Sequence, residues 1–162
     1  MAELAAIGAL GLAGMWQGVA VLNSVGFPVP YYHSKEEDPK ELLREWRRMF
    51  LPTAKMQAGL ATLGALAAGT TAYLQNSAGN ADITAAFGTA AACDVAIWAY
   101  TMLSIMPLNH VLLPKGEVEA TKDDSQIRAM LKEWGRMHAV RTVMGGVALG
   151  GCVYGLHLML KK

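Results

Sequence analysis

Charge is the scarcest feature of this sequence, and it is unevenly spread. Charged side chains make up 17% of the 162 residues, below the roughly 25% usual in soluble domains. Between Met1 and Gly26 the one charged side chain is Glu3, and between Met56 and Pro114 there are only Asp82 and Asp94. Stretches so poor in charge exclude a water-covered surface over much of the chain. The net charge of +1 offers no basic face, so a nucleic-acid partner is not expected. Cysteine is nearly absent. Cys93 and Cys152 sit in apolar segments and form no CxxC pair, which argues against a disulfide framework or a thioredoxin-like site and for two buried thiols. Dinucleotide and phosphate fingerprints are also missing.

What remains is apolar: 53% hydrophobic residues, with 17 Gly and 10 Met. A hydrocarbon core of about 30 Å takes about 20 apolar residues as a helix. Four windows meet that length, at about residues 4–25, 52–74, 83–109 and 137–160. The expected fold is all-α: a polytopic four-transmembrane-helix bundle, one domain over residues 1–162, with the lipid bilayer as its constant partner. The first run lacks a basic leader and is followed by more spans, so it reads as a helix and not a signal peptide. It ends at Gly26-Phe27-Pro28-Val29-Pro30. An amphipathic helix is expected over residues 39–50, a turn over 75–80, and another short helix before residue 136. Gly14-x3-Gly18, Gly146-x3-Gly150, Gly151-x3-Gly155, Gly64, Ala68 and the alanines 90–92 supply small faces that let helices approach closely in lipid. Cations crowd the two polar stretches. Lys35, Lys40, Arg44, Arg47 and Arg48 lie in the first, and Lys115, Lys122, Arg128, Lys132 and Arg136 in the second. The positive-inside rule makes both long loops cytoplasmic and puts Lys161-Lys162 on the other side.

The chain also repeats itself. Leu43-Arg44-Glu45-Trp46-Arg47-Arg48-Met49-Phe50 matches Leu131-Lys132-Glu133-Trp134-Gly135-Arg136-Met137-His138, with five of the eight positions identical at an offset of 88. Leu22-Asn23-Ser24-Val25 matches Leu108-Asn109-His110-Val111 at an offset of 86. Each half holds two spans, so both halves start on the same side, making two parallel two-helix repeats. Polar groups from all four helices then converge beneath the long loops.

Trp134, His138 and Arg141 stand at i, i+4 and i+7, one stripe of a helix. The first half has Trp46, Phe50 and Thr53 in the matching places, so a site built mainly on the second half is expected. The plainer readings stay open: Arg141 snorkelling to headgroups and His138 at the interface. Asn109 either caps its helix or donates to a substrate oxygen, and Lys55 either snorkels or meets substrate. Asp94 is mid-span, where a carboxylate costs at least about 2.5 kcal/mol, so it must face the bundle interior. It stands fifteen residues from Asn109, about 22 Å along a helix at ~1.5 Å per residue. That depth favours Gln17, Thr70 or Thr71 as neighbours over Arg141. His33, His110 and His138 share one side and form an alternative metal set, without a metal-binding spacing. His157 reads as interfacial.

Ile105-Met106-Pro107-Leu108-Asn109, followed by Leu-x-x-Trp-x-x-x-His-x-x-Arg-Thr at residues 131–142, resembles the anthrone oxygenase-like family of small four-helix membrane proteins. The resemblance implies oxidation of an anthrone-type polyketide to an anthraquinone by molecular oxygen, with no cofactor. For a fungal chain it implies the endoplasmic reticulum or another internal membrane. It casts His138 as general base, with Arg141 and Asn109 stabilising the oxyanion. Trp134, Asn23, Lys55, Asp94, Trp98 and Trp46 become the candidate substrate contacts. Homo-oligomerisation stays open. The competing classes are a small-molecule transporter using Asp94 and a non-catalytic membrane subunit.

Overall fold

The first helix shows how these segments fold. In α1, Ala2–Val25, the buried residues Ala6, Ala9, Ala13, Trp16, Ala20 and Asn23 recur every three or four positions and form one stripe. Away from that stripe Leu4, Ile7 and Leu22 are exposed. The computed structural model describes residues 1–26, 28–34, 36–114 and 116–161. Phe27 of the expected helix break and the expected loop and terminal cations Lys35, Lys115 and Lys162 lie outside the described residues.

The amphipathic helix and second span are one helix, α2, Pro39–Ser77. Asp38 caps it by accepting from the backbone N–H of Lys40, and Pro39 occupies its first turn, where a missing N–H does no harm. Pro52 stands at the expected boundary, yet the helix continues through it. At ~1.5 Å per residue α2 is about 58 Å long, so no more than about half of it fits a bilayer core. After a turn with Gly79 at φ 76°, α3 runs Ala81–Tyr100. It passes through a π-helical turn, Thr101–Ile105, into α4, Met106–Leu112. The wide turn precedes Pro107, which cannot donate to the ladder, and absorbs its ring. Next come α5, Glu117–Thr121, and α6, Asp124–Leu160, which opens with a capping box between Asp123 and Gln126. Here too the short loop helix and the span fuse.

Three helices, those that begin with α1, α3 and α6, are long and apolar enough to cross a membrane. Their outward side chains include Leu103, Val143 and Val153, all exposed, which is the surface of an integral membrane protein. The expected fourth span, within α2, is not among them, because Gln57, Thr62, Thr70 and Thr71 dilute its hydropathy. The helices nevertheless close a ring in which α1 and α3 each pack against α2 and α6.

The small-residue faces divide. Gly64, Gly151 and Gly155 meet a neighbouring helix, where an added Cβ would stand 2.8 Å from Asp94 Oδ2, 2.9 Å from the Ala86 carbonyl oxygen and 2.6 Å from the Phe87 ring. Gly14, Gly18 and Gly150 face open space, so Gly14-x3-Gly18 and Gly146-x3-Gly150 do not make packing seams. The buried stripe of α1 runs on its other side. Gly145, absent from the expected faces, is the tightest approach, with the Trp16 ring 2.1 Å from where a Cβ would be.

The two polar stretches are a packed cap. Tyr32, Leu42, Leu43, Leu112, Val118, Ile127 and Leu131 bury one core with Trp46 and Trp134. Arg47, 5% exposed, donates to the carbonyls of Leu112 at 2.8 Å and Pro114 at 2.9 Å and pairs with Glu119 at 2.5 Å. Arg128 donates to the backbone carbonyls of Tyr32, Ser34 and Glu37. These two loop cations therefore staple the cap.

Gly145→Ala should lower stability by about 1–3 kcal/mol through overpacking, while Gly18→Ala should leave it within about 0.5 kcal/mol. Unfolding in mixed micelles would compare the two, and equal midpoints would refute the packing described. The hydrogen bond from Arg47 holds the Glu119 carboxyl below its ordinary 4.5. A lowered folded value means the clamp's contribution is complete above about pH 4.5 and declines as the pH falls through the folded value. The protection of α5 amides, taken as the ratio of intrinsic to observed exchange rate at the same pH, should therefore be lower at pH 3.5 than at pH 7, and that loss of protection should be absent in Glu119→Gln.

Candidate functional site

Two helical stripes face each other beneath the cap. On α6, Trp134, His138 and Arg141 are all buried. On α2 the corresponding positions are Trp46, Phe50 and Thr53. Trp46 meets Trp134 edge to face at 5.6 Å. The Phe50 ring stacks on Trp46 at 4.9 Å and 13°, and the His138 ring stacks on Trp134 at 4.9 Å and 8°.

Hydrogen bonding settles which way each polar group points. Nε2 of His138 lies 3.1 Å from the Ala20 carbonyl oxygen. A carbonyl only accepts, so Nε2 carries the proton and Nδ1 presents a lone pair. Nδ1 is buried without a partner among the described residues. The Trp134 indole donates to Oδ1 of Asn109 at 3.1 Å, which turns the Asn109 NH2 away, toward Met106 Sδ at 3.5 Å. Arg141 donates to Thr101 Oγ1 at 3.3 Å and to Gln57 Oε1 at 2.7 Å, and its guanidinium lies 5.7 Å from the centre of the Trp16 ring. No carboxylate pairs with Arg141 among the described residues, and its Nε has no partner there. A buried cation held only by neutral acceptors and a ring face keeps much of its desolvation penalty.

Arg141 and Asn109 line a cavity of about 120 Å³ with Trp16, Phe50, Gln57 and Trp98 as its other large walls. Its exposed lining residues include Trp98 on α3 and Met102 in the π-turn, both more than 40% exposed, so it opens on the side between α2 and α3. The Trp98 indole crosses that mouth to donate to Thr62 Oγ1 at 3.2 Å. The interior thus combines aromatic walls, one unneutralised cation and amide donors. It suits a flat aromatic ligand carrying a negative or developing-negative oxygen.

The expected site residues are only partly brought together. Arg141, Asn109 and Trp98 share the cavity. His138 and Trp134 stand behind it, 1% and 3% exposed, the indole fixing Asn109. Trp46 is fully buried in the cap. Asn23 donates to Thr53 Oγ1 at 3.2 Å and does not line the cavity. Lys55 is exposed on α2 and points elsewhere. Asp94 is buried against Gly64, one turn below Trp98. Of its expected neighbours, Thr71 donates to its own helix at Ala67 and Gln17 packs on Gly145. The three-histidine set is not assembled: His33 and His110 are exposed while His138 is committed to Ala20. Among the described residues no three His, Cys, Asp or Glu side chains group as metal ligands.

Sequence reasoning missed Trp16, Gln57 and Thr101. Gln57 was within reach, since it continues the stripe of Trp46, Phe50 and Thr53 by one more turn. At the matching place on α6 stands Gly145, which makes room for Trp16.

The family model described as "Anthrone oxygenase" matches residues 46–151. The chain is 25% identical over 151 residues to the anthrone oxygenase tpcL of Aspergillus fumigatus, covering 93% of this chain and 88% of that one. No solved structure matches.

The cavity's cation can be probed with a flat aromatic anion. Anthracene-9-carboxylate should bind the purified protein and quench tryptophan fluorescence. Arg141→Met should weaken that binding at least about tenfold, since a hydrogen bond to a charged group is worth about 1.5–3 kcal/mol. Lys55→Met should leave it unchanged; equal weakening in both would mean that surface charge attracts the probe.

Proposed function

Because the chain belongs to the anthrone oxygenase family, we propose that it is a membrane-embedded oxygenase converting an anthrone-type polyketide to an anthraquinone. The observation that carries this reading is Arg141: a buried guanidinium with no carboxylate partner among the described residues, on the wall of a cavity with aromatic sides. An anthrone is flat, apolar and acidic at its methylene, and deprotonation moves charge onto its single carbonyl oxygen. Arg141 and the NH2 of Asn109 receive that oxygen in a low-dielectric setting, where fixed donors act most strongly. Nδ1 of His138, the imidazole's basic nitrogen, takes the methylene proton through one water, since its ring stands behind the lining.

The anion is its own reductant, so the proposal uses no cofactor. One electron passes from it to oxygen, and the resulting pair joins carbon to oxygen as a peroxide. With a proton returned, this is a hydroperoxide; loss of the remaining hydrogen on that carbon together with hydroxide yields the quinone and one water. One oxygen molecule is consumed per anthraquinone. Both reactants concentrate in lipid, and the cavity's mouth faces it.

We also read α2 as a fourth crossing. Its lower half exposes Leu63, Leu66 and Tyr73, side chains suited to lipid contact. The paired stacks of Trp46 on Phe50 and Trp134 on His138 support a repeat-built bundle. By the positive-inside rule its cap faces the cytoplasm.

Anthrone and air should give quinone absorbance and matching oxygen uptake with the purified protein. Arg141→Met should slow turnover by about 10²–10³, the usual effect of losing an oxyanion donor. His138→Ala should slow it by about 10²–10⁴, the range for a lost general base, whereas Asp94→Asn should keep most of it. Undiminished turnover in both Arg141→Met and His138→Ala would sink the proposed chemistry. Flux without chemical change, lost in Asp94→Asn, would mark a transporter instead.

A further inference from the structure

We propose that Gln57 sets the cavity's selectivity, admitting flat aromatic ligands that place a second acceptor oxygen beside the one Arg141 holds. The inference deepens the reading above and rests on it for the identity of the ring system. It begins from an amide that cannot turn over. Arg141 donates to Gln57 Oε1 at 2.7 Å, and a guanidinium has no acceptor to offer. The Gln57 NH2 must therefore point away from Arg141. Its nitrogen is buried without a partner among the described residues, on a side chain 5% exposed that lines the cavity.

The neighbouring groups are locked the same way. Asn109 is held with its carbonyl on Trp134, so its NH2, which reaches Met106 Sδ at 3.5 Å, is the donor end. Thr101 spends its hydroxyl proton on the Ile97 carbonyl at 2.7 Å, so it meets Arg141 as an acceptor and adds no proton-seeking group to the interior. The oriented polar groups of the lining thus present donors. A ligand bearing an ether or ionised oxygen next to its main oxygen satisfies the Gln57 NH2. A methyl group there leaves that NH2 dry, and a donor group there faces another donor. Leaving a buried donor unpaired costs about 1–3 kcal/mol, and sites built around a hydrogen bond reject analogues lacking it far better than apolar sites reject a change of size.

The test uses two probes that undergo no turnover, 1-methoxyanthraquinone and 1-methylanthraquinone, which differ little in size. Binding to the purified protein in micelles is read by quenching of tryptophan fluorescence. The wild type should prefer the methoxy probe at least about tenfold, a difference of about 1.4 kcal/mol, within the range for one unpaired donor. Gln57→Glu keeps an acceptor for Arg141 but replaces the NH2 with oxygen, so it should reverse the preference. Gln57→Leu should bring the ratio to about one. If Gln57→Leu fails to fold, the reversal in the isosteric Gln57→Glu still decides. The same ratio in wild type and Gln57→Glu, or no binding of either probe to the wild type, would overturn the proposal. Because the probes do not react, a wild type that discriminates between them yet oxidises no anthrone would speak against the reaction alone.

Discussion

A single buried cation organises the interior. Arg141 is 7% exposed yet, among the described residues, its polar and ring contacts are with Gln57, Thr101 and the face of Trp16. A structural buried arginine is ordinarily neutralised, and this protein contains one for comparison. Arg47 in the cap has a carboxylate and two carbonyls. Removing either partner of such a pair leaves a lone buried charge. Around Arg141 that state is built in. Its environment supplies enough neutral contacts to hold the side chain in place without cancelling its field, which leaves attraction for an anion. Gly145 belongs to the same arrangement, since only a residue without a Cβ lets Trp16 lie near the guanidinium.

The matching stripes of α2 and α6 divide labour around that cation. The Trp46–Phe50 stack on α2 and the Trp134–His138 stack on α6 have the same 4.9 Å separation. One half carries a phenyl ring and a threonine where the other carries an imidazole and a guanidinium. Thr53 accepts from Asn23 and closes its side of the bundle, whereas Asn109 and Arg141 stay beside open space. Two helical stripes with matching stacks and different side chains thus give one closed seam and one open site.

Much of this was legible in the sequence, for physical reasons. Charge depletion over tens of residues has few causes other than lipid, and three of the expected spans fall within helices long and apolar enough to cross a membrane. The fused helices could not: the polar stretches read as loops because they are charged. In fact they bury a core of their own through Leu42, Leu43, Ile127 and Leu131. The i, i+4, i+7 stripe pointed to the helix face on which Arg141 lines the cavity, since helical spacing is a local property. It put His138 and Trp134 in the lining as well, where they stand one layer behind, because spacing gives a face and not a depth. Asn23, Lys55 and Asp94 failed as cavity contacts for the same reason. Each is polar and near the right level, but a rotation about its helix axis decides its neighbour. Gln57 and Trp16 were overlooked because neither breaks a local rule. Their importance comes from meeting Arg141 across the bundle.

The sideways mouth at Trp98 and Met102 changes what concentration means for this protein. A ligand that enters from the hydrocarbon flank is sampled by two-dimensional diffusion, and its occupancy follows its mole fraction among lipids and not its molarity in water. Diluting the membrane with more lipid, at constant protein and constant ligand in the tube, empties the cavity. Conversely, a sparingly water-soluble compound can saturate it while the aqueous phase holds almost none.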